Sequence, residues 1–238
     1  MRRATINPIM PSWNIHTAHA ERLLAESGAA ALGIRDVDAF LLGNLLPDVY
    51  VGYMVPDCSR KIPYKDTHFA DPNFVPEPRY GEFFELYAQP DEDGLVSDLV
   101  LGSWAHLVAD HDYNQHANQF FVAHDIQPCT ETRIKKQGDF DLFGRTLDIS
   151  LAPQVTDEVL RQCARFPQYR VDEADVYATR RAMEGIIRDN AERHVYGEPA
   201  YQMLGADFFA STFDQVTEHI RAGLAAYAVG DPAWGAQR

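Results

Sequence analysis

The residues best suited to chemistry lie in Leu101–His116, LGSWAHLVADHDYNQH. His106 and Asp110 are four apart in a run apolar enough to be a buried helix, so both lie on one helical face. An apolar helix gains nothing from an imidazole and a carboxylate aimed the same way unless something binds them. A divalent metal ion is the ligand that this pairing suits. His111, Asp112 and His116 follow closely. Further donors stand elsewhere: His16 and His19 in NIHTAHAERLL, Asp48 after FLLGNLLP, and His68 in the triplet Thr67-His68-Phe69. Four separate segments thus offer a nitrogen or oxygen ligand beside an apolar stretch, the mixed set that zinc and other borderline divalent ions prefer. Taken alone, His106 with Asp110 is equally well read as a core histidine satisfied by a carboxylate one turn away. His19 reads as an ordinary helix residue or a support for a ligand. His111, Asp112, His124 and Asp125 read as surface or supporting groups.

These donors need helices to position them. A first helix is expected from Ser12 or Asn14, either of which can cap it, to about Ser27, ended by Gly28. Asp36 opens a second, stopped by Pro47, with Asp48 just beyond. Residues 49–78, rich in Pro, Tyr, Asp and Lys, read as a long ordered loop, a kind of segment often functional. Short helical spacing spans Arg79–Ala88. The central helix is expected from about Leu95 to Asp112 or on to Phe121. Helices are also expected over Thr130–Gly144, Thr156–Phe166, Asp172–Glu192 and Asp207–Val229, with a short extended piece at 145–154 and frayed ends at 1–11 and 231–238. Seven or eight helices and almost no strand signal predict one all-α domain.

The formal charge of −14 disfavours nucleic acid as a stable partner and disfavours anionic membranes, while leaving room for a small phosphate ester held by a metal. Cys58, Cys129 and Cys163 form no CxxC and suggest neither a disulfide framework nor a thiolate zinc site. The N-terminal MRRATINPIMPSW has no apolar run behind its arginines, and no stretch is apolar for long enough to span a bilayer. A cytoplasmic protein is expected.

The segments NIHTAHAERLL, FLLGNLLPD, THF and HLVADHDYNQH, in that order, resemble the zinc-dependent phospholipase C family and, more distantly, the fungal zinc-dependent single-strand nucleases. The resemblance covers roughly Trp13 to Asp141. It implies an all-α fold binding up to three zinc ions in a cleft between helices, with His16, Asp48, His68, His106, Asp110 and His116 as ligands; the spacing His106-x3-Asp110-x5-His116 matches the family's fully. Two departures are visible. Secreted members ligate a metal with the amine and carbonyl of an N-terminal Trp, whereas Trp13 lies inside this chain. The last zinc of the family takes a His with an acid four residues later, where this chain has Gln137 and Asp141. One or two ions are therefore expected, zinc or another divalent metal. In the implied chemistry Asp110 bridges two ions and Asp48 is either a ligand or the base that takes the proton of the attacking water. The expected activity is metal-dependent hydrolysis of a small-molecule or lipid phosphoester. The alternatives are an HD-domain-type nucleotide phosphohydrolase using His111-Asp112 or His124-Asp125, and a non-catalytic metal-binding relative of the fold.

Overall fold

Leu99–Val108 contains only three polar or glycine positions, so a helix built from it is apolar on every side and must be buried in the middle of the molecule. That is its place in the computed structural model, which describes residues 12–91 and 93–237. Among these residues the fold is all-α, with ten α-helices and one 3-10 turn. They are α1 (Trp13–Ser27), α2 (Val37–Gly43), α3 (Leu46–Val49), α4 (Tyr64–His68), α5 (Tyr80–Tyr87), α6 (Asp98–Ala123), α7 (Thr130–Gly144), α8 (Asp157–Ala164), α9 (Glu173–Glu192) and α10 (Ala206–Ala228). Every residue of α6 from Asp98 to Asn114 is buried. One continuous apolar core surrounds it, including Leu23, Phe40, Leu46, Phe83, Phe140, Met183 and Leu224 from the other helices.

Two glycines set the closest approach. A methyl group on Gly102 would lie 2.1 Å from the Phe40 carbonyl oxygen, and one on Gly43 would lie 2.3 Å from that of Leu99. With no side chain at either position, α2 and α6 meet backbone to backbone. Local chemistry fixes the helix ends. Asp36 accepts from the Ala39 amide at 3.0 Å to cap α2, and Thr156 caps α8 through the Val159 amide at 3.1 Å. Gly28, at φ 76°, closes α1. Asp98 accepts from the amides of Arg35 and Asp36, so the start of α6 is tied to the start of α2.

Three expectations are corrected. Pro47 does not end a helix; it sits in the first turn of α3, where a missing N–H costs nothing, and Asp48 follows on that turn. The stretch 49–78 is not all loop, since Tyr64–His68 forms α4. The tail is not frayed over Asp231–Gln237. Trp234 is buried against Trp104 and Phe84, and the Trp104 indole donates to the Gly235 carbonyl at 3.1 Å. Residues 1–11, also expected to fray, lie outside the described residues, as do Glu92 and Arg238. The three cysteines are free. Among the described residues no helix is long and apolar enough to cross a membrane.

Candidate metal centre

Four of the ten helices each bring a donor to one buried point. His16 sits in the first turns of α1, and Asp48 on α3. His68 is the last residue of α4, which ends there because Phe69 turns left-handed at φ 55°. His106 and Asp110 stand one turn apart on α6. None of the five is more than 2% exposed.

The donor atoms converge. His68 Nε2 lies 3.3 Å from His106 Nε2, 3.5 Å from Asp110 Oδ2 and 3.6 Å from Asp48 Oδ1. His106 Nε2 is 3.8 Å from Asp110 Oδ2 and 3.9 Å from Asp48 Oδ2. His16 Nε2 is 3.2 Å from Asp110 Oδ1, and its ring stacks on His106 at 3.9 Å. Two overlapping groups result, His16–His106–Asp110 and Asp48–His68–His106, each with its donor atoms within 4.8 Å of one another. His106 belongs to both.

The surrounding hydrogen bonds orient the rings. The Asn44 carbonyl can only accept, so His106 Nδ1 carries the proton that it receives at 2.9 Å. The Thr67 hydroxyl donates to the Tyr64 carbonyl at 3.2 Å and accepts from His68 Nδ1 at 2.7 Å. In that network both Nε2 atoms face the centre as lone pairs, the tautomer that a metal ligand requires. Two imidazole lone pairs 3.3 Å apart, with two carboxylates beside them, repel one another unless a cation lies among them. The Trp13 indole donates to Asp48 Oδ2 at 3.0 Å, and Oδ1 is left buried without a hydrogen bond. Such an orphaned oxygen costs about 1–3 kcal/mol when nothing engages it. The donor set therefore fits a divalent ion.

Electrostatics agree. Burial, with Asp110 nearby, pushes the Asp48 carboxyl well above its usual range. Burial raises Asp110 to about 6, against the opposing influence of His106, Tyr64 and Lys136. Burial and the neighbouring imidazoles hold His68 well below its ordinary value; burial first, then His16, push His106 down to about 3. His68 and His106 are thus neutral at neutral pH, while the carboxylates ionise only against resistance that a cation would relieve.

Of the residues expected from sequence, His16, Asp48, His68, His106 and Asp110 come together. His116 does not. It lies six residues beyond Asp110, about 9 Å further along α6 and turned to another face, and belongs to neither group. Asp141 also stands apart, on α7, accepting from the Gln137 amide at 3.0 Å. His19 is held by Thr217 and Tyr113. The adjacent His-Asp pairs are used elsewhere: His111 bonds the Pro78 carbonyl, Asp112 bonds His219, and His124 bonds the Phe120 carbonyl.

Sequence reasoning missed four supporting residues. Asn44 also donates its amide to the His16 carbonyl at 2.9 Å. Tyr64 stacks on His68 at 3.8 Å and donates to Asp110 Oδ2 at 3.2 Å. Its position four residues before His68 is a signal only where 64–68 is helical, as it is in α4. Thr67 belonged to the triplet but carried no role. Lys136 is only 1% exposed, donates to Asn114 at 2.8 Å and is lowered to about 7 by burial; nothing in its sequence context distinguishes it from solvated charge.

Beside the group opens a cleft of about 570 Å³, whose walls include Trp13, Asp48, Met54, Gln137, Asp141 and Ile186. Comparison with family models, with curated proteins and with solved structures finds no match to this chain. Fold and site together define an all-α protein with buried His/Asp groups able to hold a metal.

Proposed function

We propose that this protein is a metal-dependent hydrolase of phosphoesters, similar in fold and site to the zinc-dependent phospholipase C family. The observation that carries the reading is the convergence of His68 and His106 Nε2 with Asp48 and Asp110. A divalent ion, when bound there, supplies a water whose pKa falls from 15.7 to about 7. In this reading Asp48 takes the proton, as the member of the buried group that also lines the cleft. Its Oδ1 is buried 3.6 Å from His68 Nε2, and the Trp13 indole holds Oδ2. Asp110 has one oxygen toward His16 and the other toward His68 and His106, so either oxygen would serve to hold metal. Hydrolysis breaks the phosphorus–oxygen bond to the alcohol and forms one to the water oxygen. One water proton ends on the released alcohol, and no further co-reactant is needed.

The cleft favours an enzyme over a closed structural metal site, because Asp48 borders space large enough for a substrate. The test is metal analysis of the purified protein together with phosphodiester turnover before and after chelation. Turnover is expected to vanish with chelator and return with zinc. His106→Ala is expected to lose both metal and turnover, whereas His111→Ala keeps its metal. The reverse pattern would support an HD-type centre, and bound metal with no turnover of any mono- or diester would leave a non-catalytic protein.

A further inference from the structure

We infer that the connection 165–172 between α8 and α9 sets the separation of Asp48 and His68, with Gln168 and Tyr169 as positioning residues for the metal centre. This rests on the metal-binding part of the reading above and not on which bond the protein cleaves.

α3 has four residues and α4 five. A helix that short does not hold itself, because one or two hydrogen bonds do not offset the cost of nucleating it. Yet Asp48 on α3 and His68 on α4 bring Oδ1 and Nε2 to 3.6 Å from each other. Something outside both helices must fix them, and two consecutive residues do. The Gln168 amide donates from Nε2 to the carbonyls of Asp66 at 3.0 Å and Thr67 at 3.2 Å. Those carbonyls belong to the last turn of α4, where none has a partner within the helix. The Tyr169 hydroxyl donates to the carbonyl of Leu46, the first residue of α3, at 2.9 Å. One residue thus holds the helix of His68 and the next holds the helix of Asp48.

The connection is itself anchored. The Val171 amide donates to the Cys163 carbonyl at 3.0 Å, closing the turn onto α8, and Phe166 and Val171 are buried in the core. The Tyr169 ring meets Tyr50 edge-on at 5.3 Å, and the Tyr50 hydroxyl donates to Asp175 on α9 at 2.9 Å. Burial first, then Tyr50 and Asp48, keeps the Tyr169 phenol well above its ordinary range, so the hydroxyl remains a donor. Gln168 Oε1 is buried with no hydrogen bond. A hydrocarbon side chain would avoid that cost. What only the amide supplies is the paired donation to α4.

The experiment uses cobalt(II) on the full chain, since its visible absorption reports coordination geometry where zinc is silent. Tyr169→Phe and Gln168→Met are each expected to bind cobalt about tenfold more weakly than the parent protein, with a shifted visible band. Phe209→Leu is the comparison for lost stability alone, a core change in α10 where the ring packs on Phe140 and Phe143. It is expected to lower the unfolding temperature and keep the parental band and affinity. A parental band and affinity in either Tyr169→Phe or Gln168→Met, or the same shift in Phe209→Leu, would overturn the inference. A parent protein that takes up no cobalt removes the centre and the inference together. A band shifted in both variants supports the inference even where the protein hydrolyses no phosphoester, a result that ends the enzyme reading alone.

Discussion

Trp13 shows how a single side chain adjusts the centre without being a ligand. Its indole N–H takes Asp48 Oδ2 at 3.0 Å and leaves Oδ1 toward His68. Trp13→Phe keeps the ring in the core and deletes the donor. It is expected to weaken metal binding about 10–100-fold, read by competition with a chromogenic chelator; an unchanged affinity would mean the indole only packs. Protons compete with metal at the same carboxylates. Asp110, raised to about 6, and Asp48, raised well above its ordinary range, are carboxylic acids at low pH, whereas His106 does not take a proton until about 3. Metal affinity is therefore expected to rise as pH increases through about 6, by about tenfold per unit for each proton displaced. The sign for the metal-free fold is the opposite. A raised carboxyl binds more protons folded than unfolded between its ordinary 3.8 and about 6, so this group's contribution to stability is lost as pH rises through that window. Affinity that peaks in acid would contradict the first statement, and a metal-free protein that gains stability from this group as pH rises from 3.8 to about 6 would contradict the second.

At the scale of elements, the contact between α2 and α6 positions more than its own residues. The turn after α2 carries Asn44, whose carbonyl orients His106 and whose amide holds the His16 backbone. Gly102→Ala would press a methyl group against the Phe40 carbonyl, 2.1 Å away, and push the two helices apart. A loss of about 1–3 kcal/mol in stability is expected from the overpacking, together with weaker metal binding. Thermal denaturation and metal titration on one preparation check both, and a stability loss at full metal affinity would show that Asn44 holds its place independently. The long helices were legible from periodicity because each hides one face or, for α6, all faces. The short ones were not. α3 has four residues and α4 five, too few for a period to show, and α3 holds the Pro that read as a stop. The chain end misled for a related reason: DPAWGAQR has the composition of a loose tail, and only the tertiary contact with Trp104 and Phe84 gives Trp234 a place.

Across the whole molecule, the donors come from α1, α3, α4 and α6, so an ion held by them ties together four elements spread over some ninety residues of chain. Metal is expected to raise the unfolding temperature, with about 2.7 kcal/mol gained at a free concentration one hundred times Kd. Chelation should reverse the gain, and His106→Ala should not show it. Five of the seven metal ligands expected from sequence meet in space because ordered motifs report on a shared centre. His116 and Asp141 do not, since a spacing along one helix says nothing about which face a residue finally turns to the site.

The two walls of the cleft have different origins along the chain. Trp13, Asp48 and Met54 belong to its first quarter, while Gln137, Asp141 and Ile186 come from α7 and α9. The donors of the metal centre, from His16 to Asp110, thus lie apart in the chain from the α7 and α9 wall. Substitutions on that later wall can reshape the cleft while leaving every donor in place.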